Sequence, residues 1–84
     1  MPSTASLLTL YSRHGCHLCD DMRDELRALQ ERFPFRLEIV DIDADPALVK
    51  RFGALAPVLM AGETELCHYF LDRRALDAYF GEIG

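Results

Sequence analysis

Residues 7–19, which read LLTLYSRHGCHLC, contain the pattern on which the fold prediction depends. The apolar run from Leu7 to Tyr11 is short and favours a central strand that is covered on both faces of a sheet. From Leu18 onward, apolar residues recur at the spacing of an amphipathic helix. The thiols of Cys16 and Cys19 therefore stand where a predicted strand passes into a predicted helix.

The position of this cysteine pair indicates thiol–disulfide chemistry. The first turn of a helix offers unpaired backbone N–H groups and the positive end of the macrodipole, and both favour a thiolate over a thiol. Cys16 is therefore the candidate nucleophile, and Cys19 is placed to attack a mixed disulfide formed on Cys16. The negative charges of Asp20 and Asp21 oppose the thiolate. We expect the dipole and the N–H groups to prevail because they act at closer range.

Length and composition predict one small domain over residues 1–84, with residues 1–6 as a flexible N-terminal segment. Half of the residues are hydrophobic and 27% are charged, which is typical of a globular chain. The sequence shows no signal-peptide pattern and no membrane-spanning run, so we expect a cytoplasmic protein without a membrane partner. The formal charge of −5 would repel a phosphate backbone, so nucleic acid is not an expected partner. We expect a monomer.

The first half of the chain predicts a strand, a helix, a second strand and a short second helix. The first helix is expected to end near Phe33-Pro34. The alternation of apolar and charged residues from Phe35 to Ile42 predicts a strand near the sheet edge. Asp45-Pro46 is typical of a helix start and Gly53 of a helix end. Two strands joined by a crossover helix are expected to be parallel.

The second half predicts a hairpin and a last helix. Two strand-like runs, Pro57 to Ala61 and Glu65 to Phe70, flank Gly62 and predict an antiparallel pair. Asp72 is expected to cap a helix whose apolar residues are Leu76, Tyr79, Phe80 and Ile83. The whole order, β-α-β-α-β-β-α, predicts an α/β fold with a mixed four-stranded sheet flanked by helices on both faces.

A cysteine pair at the end of the first strand of this element order resembles the thioredoxin fold in its shortest form. Among its families the chain is similar to the glutaredoxins, and most closely to the small bacterial glutaredoxin-like proteins. The resemblance is carried by Tyr11 to Cys19, Asp41 to Asp43 and Ala56 to Val58. It implies a thiol–disulfide oxidoreductase with Cys16 and Cys19 as catalytic residues. Its implied substrate is a protein disulfide or a glutathione mixed disulfide, with glutathione as co-substrate and no bound cofactor or metal.

The resemblance also implies binding roles around the cysteine pair. Pro57 matches a proline that the superfamily holds in the cis form, which leaves the backbone at Ala56 free to pair with a substrate chain. Arg13 matches a basic residue that can stabilise the thiolate or meet a glutathione carboxylate. Asp72 matches an aspartate that helps to hold the γ-glutamyl end of glutathione. His17 either favours the thiolate when protonated or is a solvent-exposed side chain without such an effect.

The chain differs from the usual glutaredoxin pattern at three places. Glutaredoxins usually carry Pro-Tyr between the cysteines, where this chain has His17-Leu18. They usually carry Thr-Val before the proline, where this chain has Leu55-Ala56. They carry a Gly-Gly pair after the last strand and an aspartate beyond it, and of these Tyr69-Phe70-Leu71-Asp72 offers only the aspartate here. These differences affect glutathione binding and leave the exchange chemistry in place.

The remaining polar clusters have structural interpretations. Cys67 is predicted to be a buried thiol that packs as a small hydrophobic residue. A zinc site that joins Cys67 and His68 to the cysteine pair is disfavoured, because adjacent strand residues point to opposite faces. Asp41, Asp43 and Asp45 lack the pattern of a calcium loop and are expected to serve strand ends and helix caps. His14 is expected to be a loop residue.

Two other classes of function stay open on the sequence alone. One is a binding module that keeps the fold but uses the groove for a partner protein. The other is a metal or iron–sulfur carrier, although such glutaredoxins usually rely on one active-site cysteine.

Overall fold

The elements of the structure, a computed structural model that describes residues 6–83, follow the predicted order. No helix within that range is long and apolar enough to cross a membrane. The predicted flexible segment 1–6 can be compared only at Ser6, which already belongs to the first strand, and the side chain of Ile83 lies outside the description. The elements are β1 (Ser6–Ser12), α1 (His17–Leu29), β2 (Phe35–Asp41), a 3-10 turn (Ile42–Ala44), α2 (Pro46–Phe52), β3 (Val58–Ala61), β4 (Thr64–His68) and α3 (Arg73–Ile83).

The four strands form one mixed sheet in the order β2-β1-β3-β4. β1 pairs with β2 in parallel and with β3 antiparallel, and β3 pairs with β4 antiparallel. This confirms the predicted central strand, the predicted edge position of the second strand and the predicted hairpin. The parallel pair requires a crossover connection, which α1 supplies. The predicted four-stranded α/β architecture is therefore confirmed.

Apolar side chains form one cluster on each face of the sheet. The larger cluster packs α1 and α3 against alternate residues of the strands, and the smaller cluster packs α2 against the other face. Helices therefore cover both faces, as predicted. The buried members of the larger cluster are Leu8, Leu10, Met22, Leu26, Leu29, Phe35, Leu59, Ala61, Cys67, Leu76 and Phe80, and those of the smaller cluster are Ile42, Phe52, Val58 and Met60.

The first helix is shorter than predicted. It ends at Leu29 instead of near Phe33-Pro34, and residues 30–33 continue as turns. The N–H of Phe33 still donates to the Leu29 carbonyl at 2.9 Å, and the Phe33 ring stacks on Phe80 at 4.9 Å between centroids. Helical backbone is disfavoured at Phe33 because this residue precedes Pro34. The apolar stripe therefore continues to Phe33, beyond the last helical residue.

The last strand is also shorter than predicted, and this change bears on the site. β4 ends at His68 instead of Phe70, because Tyr69 adopts a backbone φ of 63°. A left-handed residue cannot continue an extended strand. Tyr69 and Phe70 therefore follow the strand instead of extending it.

Candidate active site

A tight turn delivers Cys16 from the end of β1 to the start of α1. The N–H of Cys16 donates to the Arg13 carbonyl at 3.3 Å, which closes a turn over residues 13–16. Gly15 lies in this turn at a φ of 73°, a conformation that glycine adopts without steric cost. The glycine at position 15 therefore follows from the geometry of the turn.

Cys16 is the N-cap residue of α1, and its sulfur takes the place of a capping oxygen. The backbone N–H of Cys19 donates to Cys16 Sγ at 3.1 Å. The Cα atoms of the two cysteines are 5.2 Å apart, and their sulfur atoms lie at disulfide-bonding distance. Cys16 is half-buried, whereas Cys19 is 2% exposed. Of the two cysteines, Cys16 therefore has surface toward solvent, while Cys19 is buried.

Arg13 is held by groups on the far side of the turn. Its Nε and Nη2 donate to Asp43 Oδ1 at 3.1 and 2.8 Å, and its Nη1 donates to the Gly53 carbonyl at 3.4 Å. The hydrogen bond from Arg13, with the attraction of its charge, holds the pKa of the Asp43 carboxyl below its ordinary value. Arg13 therefore ties the cysteine turn to the ends of the 3-10 turn and α2.

The peptide bond between Ala56 and Pro57 is cis, in agreement with what the resemblance implied. The backbone at Ala56 is only partly free, because its N–H already donates to the Phe52 carbonyl at 2.9 Å. Within residues 6–83 the carbonyl of Ala56 accepts no hydrogen bond. The Pro57 side chain is less than 2% exposed and Ala56 is half-buried, so Ala56 is the member of this pair with surface to offer a ligand.

These groups lie at the same end of the sheet, where β1 finishes. Tyr11 lies opposite Val58 in the β1–β3 pair, so Pro57 precedes β3 beside the end of β1, where the cysteine turn begins. On the other side of Pro57, the N–H of Tyr69 donates to the Pro57 carbonyl at 2.9 Å. The cysteine turn, Pro57 and Tyr69 therefore follow one another across neighbouring strands, which are about 4.8 Å apart in a sheet.

Comparison with known proteins agrees with this arrangement. The sequence model of the glutaredoxin-like domain (DUF836) matches residues 7–81. The chain belongs to the glutaredoxin-like domain family. No curated protein gives a significant match to the sequence.

Solved structures resemble the glutaredoxin-like domain over nearly its whole length. The solution NMR structure of protein Ne2328 from Nitrosomonas europaea is 40% identical, with a TM-score of 0.85 over 95% of this chain and 96% of that one. Protein XcR50 from X. campestris is 36% identical, with a TM-score of 0.68 over 89% and 96% of the two chains. Thioredoxin 1 from Thermosipho africanus is 13% identical, with a TM-score of 0.63 over 92% and 97%. The last comparison shows the thioredoxin fold alone.

The other predicted binding residues of this glutaredoxin-like domain are exposed or interact within their own helix. The side chain of His17 is 91% exposed and lies 3.9 Å from Asp21, one turn along the helix. Asp72 caps α3 as predicted, because its Oδ1 accepts the N–H groups of Arg74 and Ala75 at 3.0 and 3.2 Å. His14 is exposed in the cysteine turn. Among the described residues, neither the His17 nor the Asp72 side chain forms a hydrogen bond with Cys16.

The remaining polar residues have the structural roles predicted for them. Cys67 is a buried free thiol, and burial raises its pKa, so it is a poor nucleophile. His68 points outward and pairs with Glu65 at 2.7 Å. Asp41 and Asp45 cap the 3-10 turn and α2. In the part of the chain that the structure describes, no three His, Cys, Asp or Glu side chains converge on a metal-sized site.

Two features of the site were not identified from sequence. The sequence pattern gives Asp43 only the role of an acidic residue at a strand end or helix cap, and its pairing with Arg13 spans 30 positions, too far for a local pattern to indicate. The same pattern predicts Tyr69 and Phe70 within a strand. The replacement of a Gly-Gly pair at this point was the available signal, since paired glycines often mark a left-handed backbone.

Proposed function

We propose that this glutaredoxin-like domain is a thiol–disulfide oxidoreductase that reduces protein disulfides or glutathione mixed disulfides. One observation carries the proposal: the half-buried Cys16 caps a helix, and its sulfur lies at disulfide-bonding distance from the sulfur of the buried Cys19. A purely structural cysteine pair has no need of this asymmetry. The asymmetry is what a nucleophile and a resolving thiol require.

The reaction proceeds in two exchanges. Cys16 attacks one sulfur of the substrate disulfide as a thiolate, forms a mixed disulfide and releases the other substrate sulfur as a thiolate. Cys19, after loss of its proton to solvent, attacks Cys16 Sγ and releases the second substrate thiol. The substrate disulfide gains two electrons, and the protein loses two as the Cys16–Cys19 bond forms.

The helix start stabilises the charged form of Cys16 in this scheme. The N–H of Cys19 points at the Cys16 sulfur, and the first turn of α1 adds the positive end of its dipole. Arg13 contributes its charge at longer range, because its guanidinium is bonded to Asp43. Its proposed task is to hold the cysteine turn in place.

Turnover requires a reductant for the Cys16–Cys19 disulfide. Glutathione is the proposed co-substrate, and two molecules of a thiol of this kind restore the dithiol and leave as one disulfide. We propose that the protein works as a monomer in the cytoplasm, where such thiols keep catalytic disulfides transient. It needs no bound metal or cofactor for this chemistry.

Single-cysteine variants test the function. Disulfide reduction by wild type is compared with Cys16→Ser, Cys19→Ser and Cys67→Ala, with mass spectrometry of any trapped adduct. Cys16→Ser is expected to abolish activity, whereas Cys19→Ser is expected to accumulate a mixed disulfide on Cys16. Cys67→Ala serves as the control and is expected to retain activity, because Cys67 is a buried free thiol of the larger apolar cluster. Undiminished activity of Cys16→Ser would contradict the proposal, as would a wild type that reduces no disulfide.

A further inference from the structure

Two exposed aromatic residues lie at the same end of the sheet as the cysteine turn. Phe70 is 68% exposed and Tyr69 is 40% exposed, and Phe70 is the most exposed of the large hydrophobic residues in the described range. Folding alone does not favour this placement, since burial of either ring would stabilise the protein. Their neighbour across the sheet is Pro57, through the hydrogen bond from the Tyr69 N–H.

We propose that Tyr69 and Phe70 determine substrate specificity, and that they select a disulfide carried by an extended apolar protein segment over glutathione disulfide. This inference rests on the proposed function and names its substrate class.

The backbone at Tyr69 takes both residues out of β4 at the end of the sheet where the cysteine turn begins. At a φ of 63° the chain leaves β4 immediately after His68, so Phe70 projects beyond the sheet instead of entering its ladder. A left-handed conformation is unfavourable for a residue with a Cβ atom, and such residues concentrate at functional sites. The Tyr69 hydroxyl donates to the Ala54 carbonyl at 2.6 Å, in the segment that leads to Ala56 and Pro57. The phenol therefore joins the aromatic pair to the backbone that faces a bound substrate.

The charged groups at this end of the sheet are already paired, which disfavours the binding of glutathione. Glutathione carries two carboxylates at neutral pH, and each needs a cation or a cluster of donors. The donors of Arg13 are directed to Asp43 and Gly53, and His68 is paired with Glu65. The N–H of Ala56 is directed to Phe52. Glutathione therefore finds none of these donors free.

An extended peptide needs fewer groups from the protein. The Ala56 carbonyl can accept an N–H from the substrate backbone, and the Phe70 and Tyr69 rings can cover an apolar side chain beside the substrate cysteine. Cys16 then attacks the sulfur of that cysteine, and the partner sulfur leaves as a thiolate. The same two-electron exchange applies to both substrate classes, so only binding distinguishes them.

The test compares three disulfides with fully reduced protein. One is a symmetric peptide disulfide with phenylalanine on both sides of its cysteine, the second is the same peptide with serine at those positions, and the third is glutathione disulfide. For wild type we expect the apolar peptide to react about tenfold faster than the serine peptide at low concentration, because partial burial of one aromatic ring corresponds to roughly that factor. The rate is expected to saturate with the apolar peptide and to rise linearly with glutathione disulfide.

Variants assign the preference to the aromatic pair. Phe70→Ala and Tyr69→Gly are each expected to reduce the ratio of apolar to serine peptide rates to about twofold or less, through the lost ring contact. Tyr69→Gly suits the positive φ, so it also guards against loss of folding, which circular dichroism checks. Leu7→Ala is the matched control, because Leu7 is 49% exposed at the opposite end of β1 and is expected to leave the ratio unchanged.

The outcomes separate the two levels of the proposal. A wild-type protein that reduces none of the three disulfides overturns the proposed function and this inference with it. Reduction of all three with equal rates, saturation with glutathione disulfide alone, or an unchanged ratio in folded Phe70→Ala overturns the inference and leaves the proposed function standing.

Discussion

At the scale of single residues, the ion pair between Arg13 and Asp43 shows how the cysteine turn is held. Both side chains are partly exposed, so solvent screens their attraction and the pair stabilises the fold only modestly. Its effect is geometric, because one guanidinium reaches both Asp43 and the Gly53 carbonyl. The turn that carries Cys16 and the segment that leads to Pro57 are thereby fixed to each other.

This pair predicts a pH dependence. The hydrogen bond from Arg13 lowers the pKa of Asp43 in the folded protein, so its contribution to stability is present above the unfolded value of about 3.9 and is lost as the pH falls through the folded value. An NMR titration of the Asp43 carboxyl is expected to show a midpoint below about 3.9, and Arg13→Met is expected to raise it. Arg27→Met removes the same charge elsewhere and should leave the midpoint in place. A midpoint that Arg13→Met does not move would contradict the pairing.

Single residues were predictable from sequence where their role is local. Asp45 and Asp72 act as caps, and Cys67 is buried in its strand, because capping and alternation depend on neighbours within a few positions. The role of Arg13 was not predictable in full. Its partner Asp43 is distant in the chain, and the choice between a ligand and a carboxylate is made by the folded structure.

At the scale of elements, the start of α1 combines favourable and unfavourable charges around Cys16. Asp20 lies in the first turn, and its N–H donates to the Cys16 carbonyl at 3.2 Å. Asp24 lies one turn further along the helix, and both aspartates contact Arg23. The two carboxylates therefore offer a matched comparison of the same charge at two distances from the sulfur.

Alkylation of the reduced protein tests this balance. Cys16 is expected to react first, with a rate that reaches half of its maximum below the free-cysteine value of about pH 8.5. Asp20→Asn is expected to shift this midpoint further down, because it removes a negative charge near the thiolate, whereas Asp24→Asn should have little effect. Peptide mapping reports which thiol is modified, and Cys19 and Cys67 should be protected by burial. A midpoint at or above about pH 8.5 would refute activation by the helix start.

The elements themselves were largely predictable, and their ends were not. Apolar patterns, together with the cap signals of α2, predict the strands and helices that residues 6–83 form, because each element buries one stripe or one face. The ends of α1 and β4 depend on tertiary contacts and on backbone conformation. Phe33 keeps its packing outside the helix, and Tyr69 turns left-handed where its side chain can reach Ala54.

At the scale of the whole molecule, the sheet brings the cysteine turn, Pro57 and Tyr69 together at one of its ends. β1 lies between a parallel and an antiparallel neighbour, so its carboxyl end opens beside the residues that precede β3 and follow β4. The topology was predictable because crossover rules leave few arrangements for this order of elements. The exposed aromatic pair was not predictable, because it depends on the left-handed conformation of Tyr69 in a connecting loop.

The larger apolar cluster holds this end of the sheet in place, and its contribution to the free energy of unfolding can be measured. Leu26 is a fully buried α1 residue of this cluster, so we expect Leu26→Ala to leave a cavity that its neighbours close only in part. We expect it to lower the free energy of unfolding by roughly 2–5 kcal/mol, a large share of the total for a domain of this size. Urea unfolding measures this as a lower midpoint at an unchanged slope.

Leu7→Ala makes the same chemical change at a half-exposed site, where we expect a loss of less than about 1 kcal/mol. Equal losses for the two variants would mean that the stability does not reside in this cluster. A large loss for Leu26→Ala alone would show that the helix carrying Cys16 is anchored by its buried face, independently of the chemistry at its first turn.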